Sequence, residues 1–417
     1  MANNDKLTTS VQTAVPADAK SINIFALPDS YFADPTPWFK KLRDEDPIHQ
    51  NADGSLLLTR YGDVKALWRD LTGLVDKREQ FERRFGNGPV FQHHTSGMLF
   101  RDPPAHDRLR HIVNPFFTQS SIERLSAYID TRVDELLANA TEMRELDFVK
   151  DFAFGLPISV ICRILGVPNE DGYYLHTLGA KILFVLNPHV SQDDIDAGHA
   201  ATTQFMDYLR PFIHLARARP DLDPTDNIIS AMVYAEKQGD EISEDEILHM
   251  CILMLNGGHE TTTNLMGVGL NGLLDHPDQI SRWRDQPELL PFAIEELIRF
   301  VSPLQLQGRR TTREVKVPSG VIPADTEVVI SPAAANRDER VFDNPDGLDI
   351  GRKPNAHLAF GAGIHVCIGR PLARLEASIA LPKILKHFSR IERSGTPEFN
   401  RNARFRGLAR LPVRLEP

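Results

Sequence analysis

Cysteine is scarce in this 417-residue chain, which contains only Cys162, Cys251 and Cys367. These positions are far apart in sequence, so they form neither a disulfide framework nor the paired CxxC spacing of a zinc or iron–sulfur site. Any cysteine chemistry in this protein is therefore the chemistry of a single thiol.

The beginning of the sequence lacks a long apolar run. Its first residues, MANNDKLTTSVQTAVPADAK, contain neither the apolar core of a signal peptide nor the run of about 20 apolar residues that spans a membrane. We therefore expect a cytoplasmic protein with no membrane anchor and a disordered leader over residues 1–20. An excess of basic charge is also lacking, and the formal net charge of −10 argues against a nucleic-acid partner.

Repeats and low-complexity tracts are absent, and no linker marks a domain boundary. Length alone would suggest two or three domains, but the pattern favours a single domain over residues 21–417. Short β-prone runs with turn signals lie near residues 48–70 and 305–332, and most of the remaining sequence has helical periodicity. These features predict a mainly α fold with small β-sheets.

One predicted helix is unusually long and apolar. It begins after Ser243, which forms a capping-box pattern with Glu246, and it ends before Pro277. This length corresponds to about 33 residues and ~50 Å. Its first half is apolar nearly all round, as in a helix that crosses a protein interior. The segment NGGHETTTN in its middle is polar and contains two glycines, each costing a helix roughly 1 kcal/mol, so we expect a break there.

The last cysteine lies in the segment FGAGIHVCIGR, residues 360–370, before a strong helical pattern with Pro371 in its first turn. A sulfur at a helix N-terminus is favoured as a thiolate by free backbone N–H groups, and a thiolate can bind a metal. Gly361, Gly363 and Gly369 allow positive φ angles and a close approach to a flat ligand. A buried cysteine after a flexible turn is the alternative interpretation.

The segment FGAGIHVCIG resembles the haem-binding loop FGxGxHxCxG of the cytochrome P450 family, and every fixed position matches. The resemblance implies a P450-like fold in which heme b (iron-protoporphyrin IX) lies between the long central helix and the helix after the cysteine. It implies Cys367 as the axial thiolate ligand and Phe360 near the sulfur. It also implies His365 near a haem propionate and Gly369 in the cofactor-binding loop. Such a thiolate favours cleavage of the O–O bond.

A second match lies on the long helix, where GGHETT is similar to the oxygen-activation segment of that family. The resemblance implies that Glu260 and Thr261 form its acid–alcohol pair, which can hold water for proton delivery in a dry pocket. Gly257 and Gly258 would leave room for dioxygen beside the haem. The alternative interpretation of this segment is a short polar stretch that serves helix packing. A zinc-protease HExxH motif is excluded because Thr263 replaces its second histidine.

The segment EELIRF places Glu296 and Arg299 on one helical face as an ExxR pair. Taken alone, ExxR is common as a surface ion pair of little energetic value. Its position between the other motifs follows the order of the P450 family. The resemblance implies that Arg352 completes a Glu-Arg-Arg network that supports the cysteine loop.

A buried haem requires cationic or hydrogen-bonding partners for its two propionates. The resemblance implies His106 and Arg110, four residues apart on a helix in DPPAHDRLR, and Arg309 in GRRTTRE. Arg310 could substitute for Arg309. An ordinary surface helix and a basic strand edge are the alternative interpretations.

Substrate contacts follow from positions within the motifs. Leu253, Asn256, Leu304 and Gln305 should line the pocket, together with part of FERRFGNGPVFQHH, residues 81–94. An apolar cavity that contains one or two amides favours a medium-sized hydrophobic molecule with an oxygen function, because a buried amide without a partner is costly.

The resemblance implies a haem-dependent monooxygenase that hydroxylates or otherwise oxidises a medium-sized hydrophobic organic substrate with O2. Electrons would arrive from an external ferredoxin or flavodoxin. We expect Arg108, Arg110, His111 and Arg370 to form a cationic docking face for this donor on the thiolate side.

Three other functions share part of this pattern. A haem-thiolate peroxygenase or isomerase would use Cys367 without an external electron donor, and the intact Glu260–Thr261 pair argues against it. A non-catalytic haem sensor or carrier would need neither a deep substrate pocket nor a proton relay. A cysteine hydrolase would need a triad-like signature, which does not accompany Cys367.

Overall fold

The computed structural model describes residues 15–70, 73–187 and 190–417, and it confirms a mainly helical fold with small β-sheets. The helices of the first half are α1 (Asp29–Ala33), α2 (Thr36–Glu45), α3 (Tyr61–Arg69), α4 (Arg78–Phe85), α5 (Pro89–Ser96), α6 (Ala105–Val113), α7 (Gln119–Glu123), α8 (Ser126–Met143), α9 (Gly155–Leu165) and α10 (Gly172–Phe184). Those of the second half are α11 (Gln192–Ala218), α12 (Ile228–Lys237), α13 (Glu244–Asp275), α14 (Pro277–Asp285), α15 (Leu290–Val301), α16 (Pro332–Ala335) and α17 (Arg370–His387). Short 3-10 helices lie at Ala19–Ser21, Met98–Phe100, Asn114–Phe117, Asn169–Asp171 and Pro287–Leu289, and a π-helix lies at Val149–Ala153.

The strands form small sheets at the periphery of the helices. They are β1 (Ile48–Gln50), β2 (Leu56–Leu58), β3 (Gly73–Leu74), β4 (Glu145–Asp147), β5 (Gln307–Thr311), β6 (Val315–Val317), β7 (Gly320–Ile322), β8 (Glu327–Ile330), β9 (Arg390–Arg393), β10 (Glu398–Phe399), β11 (Leu408–Arg410) and β12 (Pro412–Glu416). The largest sheet has the order β1-β2-β8-β5-β3, and β2 pairs in parallel with β8, with Leu57 opposite Val329. The two β-rich regions predicted from the sequence therefore join in one sheet.

The first of those regions is only partly β. After β2 the chain turns into α3, because the apolar side chains from Tyr61 onward recur at helical and not at alternating spacing. Tyr61, Val64, Leu67 and Trp68 are buried on one face of α3, where they pack with residues of the largest sheet. This helix matters for the site because its C-terminal end lies against the cysteine loop.

The long helix α13 is the central element of the fold. Ser243 caps it, and the reciprocal capping box with Glu246 confirms the predicted start. The predicted break was wrong, since the helix runs without interruption through the glycine pair to Asp275. The main hydrophobic cluster contains residues of α8, α9, α11, α15 and α17 together with those of α13. Burial among these helices offsets the low helix propensity of the two glycines.

Most of the predicted leader lies outside the described residues, which begin at Val15. The described part includes the 3-10 turn at Ala19–Ser21, where Ala19 is buried and Asp18 accepts a hydrogen bond from the backbone of Lys20. The leader therefore stays a prediction. A search of the described helices finds none with the length and apolar character needed to cross a bilayer.

Candidate active site

The segment 360–370 forms a tight loop before α17. Gly361 and Gly363 have φ angles of +75° and +77°, in the left-handed region that glycine tolerates and other residues rarely adopt. A Cβ atom at Gly363 would also clash with the backbone carbonyl oxygen of Trp68 at the end of α3. Gly369 was predicted to use the freedom of glycine to adopt a positive φ angle. Its φ angle is instead −78°, and the residue serves as the N-cap of α17. Only two of the three glycines are thus required by backbone conformation.

Cys367 lies at the end of this loop, with its N–H donating to the carbonyl oxygen of Phe360 over 2.9 Å. The sulfur accepts hydrogen bonds from the backbone N–H groups of Gly369 and Arg370. Burial raises the pKa of the thiol, whereas these N–H groups and the Arg110 guanidinium act to lower it. The side chain is enclosed by protein yet retains accessible surface, so it lines an internal cavity.

Arg110 of α6 holds the cysteine loop directly. Its guanidinium donates to the carbonyl oxygens of Ile364 and Val366 over 3.1 and 2.8 Å. These bonds satisfy two loop carbonyls close to the sulfur. The predicted contact between Arg110 and a haem propionate stays a prediction, since the loop already uses this side chain.

Three buried side chains with unused hydrogen-bonding capacity meet near the loop. The rings of His106 and His365 lie 4.2 Å apart between centroids, and the Nε2 atom of each is buried with no hydrogen-bond partner among the described residues. The carboxylate of Asp102 lies 4.0 Å from His365 Nε2, beyond hydrogen-bond distance. Arg309 of β5 is 3% exposed, and its guanidinium donates a hydrogen bond to the carbonyl oxygen of Gly308 over 2.9 Å. Burial, with the charges of His106 and Arg309, lowers the pKa of His365 to about 3.

This cluster fits the carboxylates of a buried haem. The charge of Asp102 acts on Arg309, but no ion pair joins the two side chains among the described residues. A buried guanidinium without a directly bonded carboxylate is costly, and two unsatisfied imidazole nitrogens add to that cost. Two propionates would supply the missing negative charge and hydrogen-bond acceptors. Arg310, the alternative to Arg309, instead forms an ion pair with Asp325 at the surface. Among the described arginines of this strand, Arg309 is therefore the better candidate.

The middle of α13 has one face that opens onto a cavity. Leu253, Gly257, Glu260 and Thr261 keep accessible surface there, whereas most of the residues around them are buried. Burial raises the pKa of Glu260 to about 7. The Thr261 hydroxyl donates to the Gly257 carbonyl over 2.9 Å, so its lone pairs remain available as acceptors.

The two adjacent glycines of α13 have different surroundings. A Cβ at Gly257 would meet nothing within 4 Å, whereas a Cβ at Gly258 would lie 2.8 Å from Cδ1 of Ile161 in α9. Gly258 therefore allows close helix packing. The sequence placed both glycines beside the cofactor; both keep accessible surface in the structure, and this placement stays a prediction.

The four residues predicted to contact the substrate have different surroundings in the structure. Leu253 lies on the open face of α13, while Asn256 is buried against Gly179 of α10. Leu304 pairs with Phe405 through an isolated β-bridge. Gln305 donates through its side chain to the carbonyl oxygen of Ser302 over 2.7 Å. The amide atoms Asn256 Nδ2 and Gln305 Oε1 are buried without a hydrogen-bond partner in the part of the chain that the structure describes.

The Glu296 carboxylate lies at the centre of a buried ion-pair network. Arg299 donates to it through Nε and Nη2 over 2.7 and 2.8 Å, and Arg352 donates through Nε over 3.0 Å. Glu296 and Arg299 are fully buried, which excludes the surface-pair alternative. Asn355 adds a bond of 3.2 Å from its side chain, a member that the sequence reasoning missed.

This network is connected to the cysteine loop through one asparagine. Arg299 Nη1 donates to the carbonyl oxygen of Asn336 over 2.8 Å. The side-chain oxygen of Asn336 in turn accepts from the backbone N–H of Leu358 over 2.6 Å. Leu358 lies two residues before the loop segment, so the buried charges fix where the loop begins.

Sequence reasoning also missed Arg404, in the loop between β10 and β11. Its Nε is buried with no hydrogen-bond partner within the described ranges, and its guanidinium lies over the Phe100 ring at 5.9 Å. No spacing in RNARFRGLAR distinguishes this arginine from its neighbours, because only the fold shows which one points inward.

A family model described as Cytochrome P450 matches residues 72–416 of the chain. The chain belongs to the cytochrome P450 family. This P450 is 36% identical over 412 residues to Cytochrome P450 107B1 of Saccharopolyspora erythraea, covering 94% of this chain and 98% of that protein. It is 35% identical over 397 residues to the Vitamin D(3) 25-hydroxylase of Pseudonocardia autotrophica, covering 93% and 95%. The crystal structure of P450BioI in complex with hexadec-9Z-enoic acid ligated acyl carrier protein aligns with a TM-score of 0.86 at 31% identity, covering 93% of this chain and 100% of that chain.

These similarities confirm the fold class, the cofactor and the reaction class expected from the sequence. This P450 is a monooxygenase that binds protoporphyrin IX haem through a cysteine thiolate. It oxidises a hydrophobic organic substrate with O2, and its electrons come from a redox partner.

The geometry of the loop gives a prediction for Gly363→Ala. The variant should lose at least about 3 kcal/mol of unfolding free energy, because a positive φ and a clash with the Trp68 carbonyl both oppose the new Cβ. The matched control is Gly54→Ala, with φ +86° and nothing within 4 Å, which should lose only about 1–2 kcal/mol. Urea unfolding and haem content measure both effects, and equal losses in the two variants would contradict the proposed close contact.

Proposed function

We propose that Cys367 is the axial ligand of the haem iron. The observation that carries this proposal is the position of its sulfur at the start of α17, bordering an internal cavity and accepting two backbone N–H groups. The other two cysteines, Cys162 and Cys251, are fully buried among apolar side chains, and burial raises the pKa of both thiols. Phe360 and Ile368 on either side of Cys367 pack on the same hydrophobic cluster as Leu253 of α13, which supports a cofactor site between the two helices.

The propionates would be bound by His106, Arg309 and His365, whose unused nitrogen atoms support this role. Arg110 would act through the loop carbonyls that it holds, and thus as a positioning residue. Gly369 would contribute its N–H to the sulfur. We assign Glu296, Arg299 and Arg352 to support of the loop and not to contact with the cofactor. The single domain over residues 21–417 is part of the same proposal.

When bound, the haem thiolate supplies the activation of O2. The chain would supply the protons through Glu260 and Thr261. With its pKa raised to about 7, the Glu260 carboxyl is protonated in a substantial fraction at neutral pH, so it can both release and regain a proton. Thr261 donates to the Gly257 carbonyl and can accept a hydrogen bond from water, which would align a proton path along the open face of α13.

The substrate would be a medium-sized hydrophobic molecule bound near Leu253 and Leu304. Related proteins differ in substrate, since one is named a vitamin D(3) hydroxylase and another is seen with a fatty acyl carrier protein. The unpaired Nδ2 of Asn256 would donate to an oxygen of the substrate, and the unpaired Oε1 of Gln305 would accept from a substrate hydroxyl.

We propose a ferredoxin or a flavodoxin in the cytoplasm as the electron donor. Arg110, His111 and Arg370 would provide positive charge close to the cysteine loop, and His111 and Arg370 are exposed. Arg108 is less suited to this face than the other three residues, because its guanidinium pairs with Glu246 at 2.6 Å. A small cationic face suits a donor with an acidic surface, because complementary charge steers association.

The thiolate assignment is tested by the absorption spectrum of the reduced protein exposed to carbon monoxide. We expect a strongly red-shifted Soret band in the wild type that is lost in Cys367→Ala. Cys162→Ala, which removes a buried thiol of α9, should keep the band. A band of unchanged position in Cys367→Ala, or a histidine-like band in the wild type, would refute the assignment.

The proton path is tested with Thr261→Ala. Loss of the hydroxyl should divert electrons to hydrogen peroxide, so product formed per electron pair falls several-fold while haem binding is unchanged. Thr261→Ser keeps a hydroxyl that can bond to the Gly257 carbonyl and should retain most of the coupling. Peroxide and product are measured together during steady-state turnover. Wild-type coupling in the alanine variant would count against the relay.

The docking face is tested by the salt dependence of reduction. The rate of reduction by a ferredoxin should fall about tenfold between low ionic strength and roughly 0.5 M salt, because screening weakens the attraction. Arg370→Gln should reduce the low-salt rate and flatten this dependence. Arg390→Gln removes an equal charge from β9 and should leave it unchanged. Identical salt profiles in the two variants would place the donor elsewhere.

A further inference from the structure

A buried guanidinium without an anionic partner lies in the loop between β10 and β11. Arg404 is enclosed by protein, and its Nε is buried with no acceptor in range. The described residues offer neither a hydrogen bond nor an ion pair to any atom of its guanidinium. Burial and the nearby charge of Arg84 lower its pKa to about 10, so the group still carries its charge at neutral pH. A buried charge in this condition is costly unless an anion binds to it.

The backbone around Arg404 is firmly held, so the side chain is directed by the fold. The Arg404 carbonyl accepts from the N–H of Gln305 over 2.8 Å, and the N–H of Arg406 donates to the Pro303 carbonyl over 2.8 Å. At the end of the loop, Gly407 lies in close contact with the Asn264 side chain of α13. The loop is thereby fixed between the segment 303–305 and α13, three residues beyond Thr261.

A second cation without a carboxylate lies close to the first. Arg84 of α4 donates to the carbonyl oxygen of Asn187, stacks on the Phe85 ring at 5.3 Å, and forms no ion pair within the described residues. Its charge and that of Arg404 repel each other. The undescribed internal residues at 71–72 and 188–189 are Leu, Thr, Pro and His. None of them carries a carboxylate that could form an ion pair with either arginine.

Other cations near Arg404 already have partners. Lys77 forms an ion pair with Glu327 at 2.7 Å. Arg309 belongs to the cluster with His106 and His365, which fits the haem propionates. His94 is neutral at physiological pH, because burial and the charge of Arg404 lower its pKa to about 3. The charge of Arg404 also acts on Lys77 and Arg309. Arg404 and Arg84 differ from Lys77 because neither forms an ion pair within the described residues. They differ from Arg309 because neither belongs to its cluster with the two histidines.

An apolar surface leads from these two arginines to the open face of α13. Phe100, which lies under Arg404, belongs to a cluster of aromatic and aliphatic side chains from residues 81–100 and 185–195. Three residues earlier, Gly97 contacts α13, and a Cβ there would be 3.6 Å from Cδ2 of Leu253. The segment 97–100 thus connects the two arginines with the region beside Gly257.

We propose that Arg404, assisted by Arg84, binds the carboxylate of the substrate, and that this P450 oxidises a hydrophobic carboxylic acid. The guanidinium holds the carboxylate by charge-assisted hydrogen bonds, and the hydrocarbon part lies along the surface of segment 97–100 toward Leu253. This inference rests on the proposed function, because it assigns the substrate class of the same active site. It differs from the expectation of a neutral oxygen function bound by Asn256 and Gln305 alone.

The test compares free acids with their methyl esters by isothermal titration calorimetry on the haem-loaded enzyme at pH 8. The probes are octanoic, decanoic, dodecanoic and 4-phenylbutyric acid, each paired with its ester. For at least one pair, the wild type should bind the acid about tenfold to hundredfold more tightly than the ester. Arg404→Gln should remove this preference by weakening acid binding and leaving ester binding within about twofold.

Three further variants sharpen the test. Arg404→Lys keeps the charge and should restore part of the preference, and Arg84→Gln should reduce it less than Arg404→Gln does. Arg401→Gln changes an exposed arginine of the same loop, which pairs with Asp29, and should bind acids as the wild type does. The same preparations are assayed for haem content and for the carbon monoxide spectrum.

Each contrary outcome has a distinct meaning. An acid preference below threefold for every wild-type pair would overturn the proposal, and so would equal weakening of acid and ester in Arg404→Gln. Loss of haem from Arg404→Gln but not from Arg401→Gln would show that Arg404 binds a haem propionate, which also overturns it. Absence of the red-shifted band in the wild type would instead refute the thiolate assignment, independently of the acid preference.

Discussion

The buried carboxylate of Glu296 is the interaction on which the active site of this P450 depends. It binds Arg299 on its own helix and Arg352 from a distant segment, and it accepts a backbone N–H from Asp349. Removing one partner from such a network costs about 3–5 kcal/mol, because the remaining charges are left unpaired in the interior. Through Asn336 the same network fixes the residues that precede the cysteine loop. A functional element at the surface of a cofactor site is thus held by charges that never contact the cofactor.

The interior of this protein also contains positive charge that its own carboxylates do not neutralise. One such charge is that of Arg309, which lies near His106 and the neutral ring of His365 in the cluster proposed to bind the haem propionates. The other, formed by Arg84 and Arg404, lies beside apolar side chains instead of the cysteine loop. Because unpaired buried charge destabilises a fold, this arrangement is the basis of the proposal that an anion binds there.

The sequence was sufficient to predict the elements that depend on local chemistry. The capping box at Ser243, the loop at 360–370 and the ordered motifs that indicate a haem thiolate all follow from residue type and spacing. The interruption predicted at Gly257 and Gly258 was wrong, because tertiary packing on α13 outweighs helix propensity. The inward direction of Arg404 and the contact of Gly258 with Ile161 depend on elements far away in sequence, so no local pattern encodes them. For the same reason, Arg108 looked like a free surface cation until its partner Glu246 was seen across the fold.

The contact between Gly363 and the end of α3 has a consequence for how the enzyme is made. The backbone of the cysteine loop rests on Trp68, so two segments separated by most of the chain must meet before the loop can adopt its shape. Such long-range contacts form late, after the intervening helices have assembled. On the ribosome, the loop leaves the exit tunnel only after α3 and nearly all other helices have emerged. We therefore expect the loop to reach its haem-binding shape only after α3 and the intervening helices have folded.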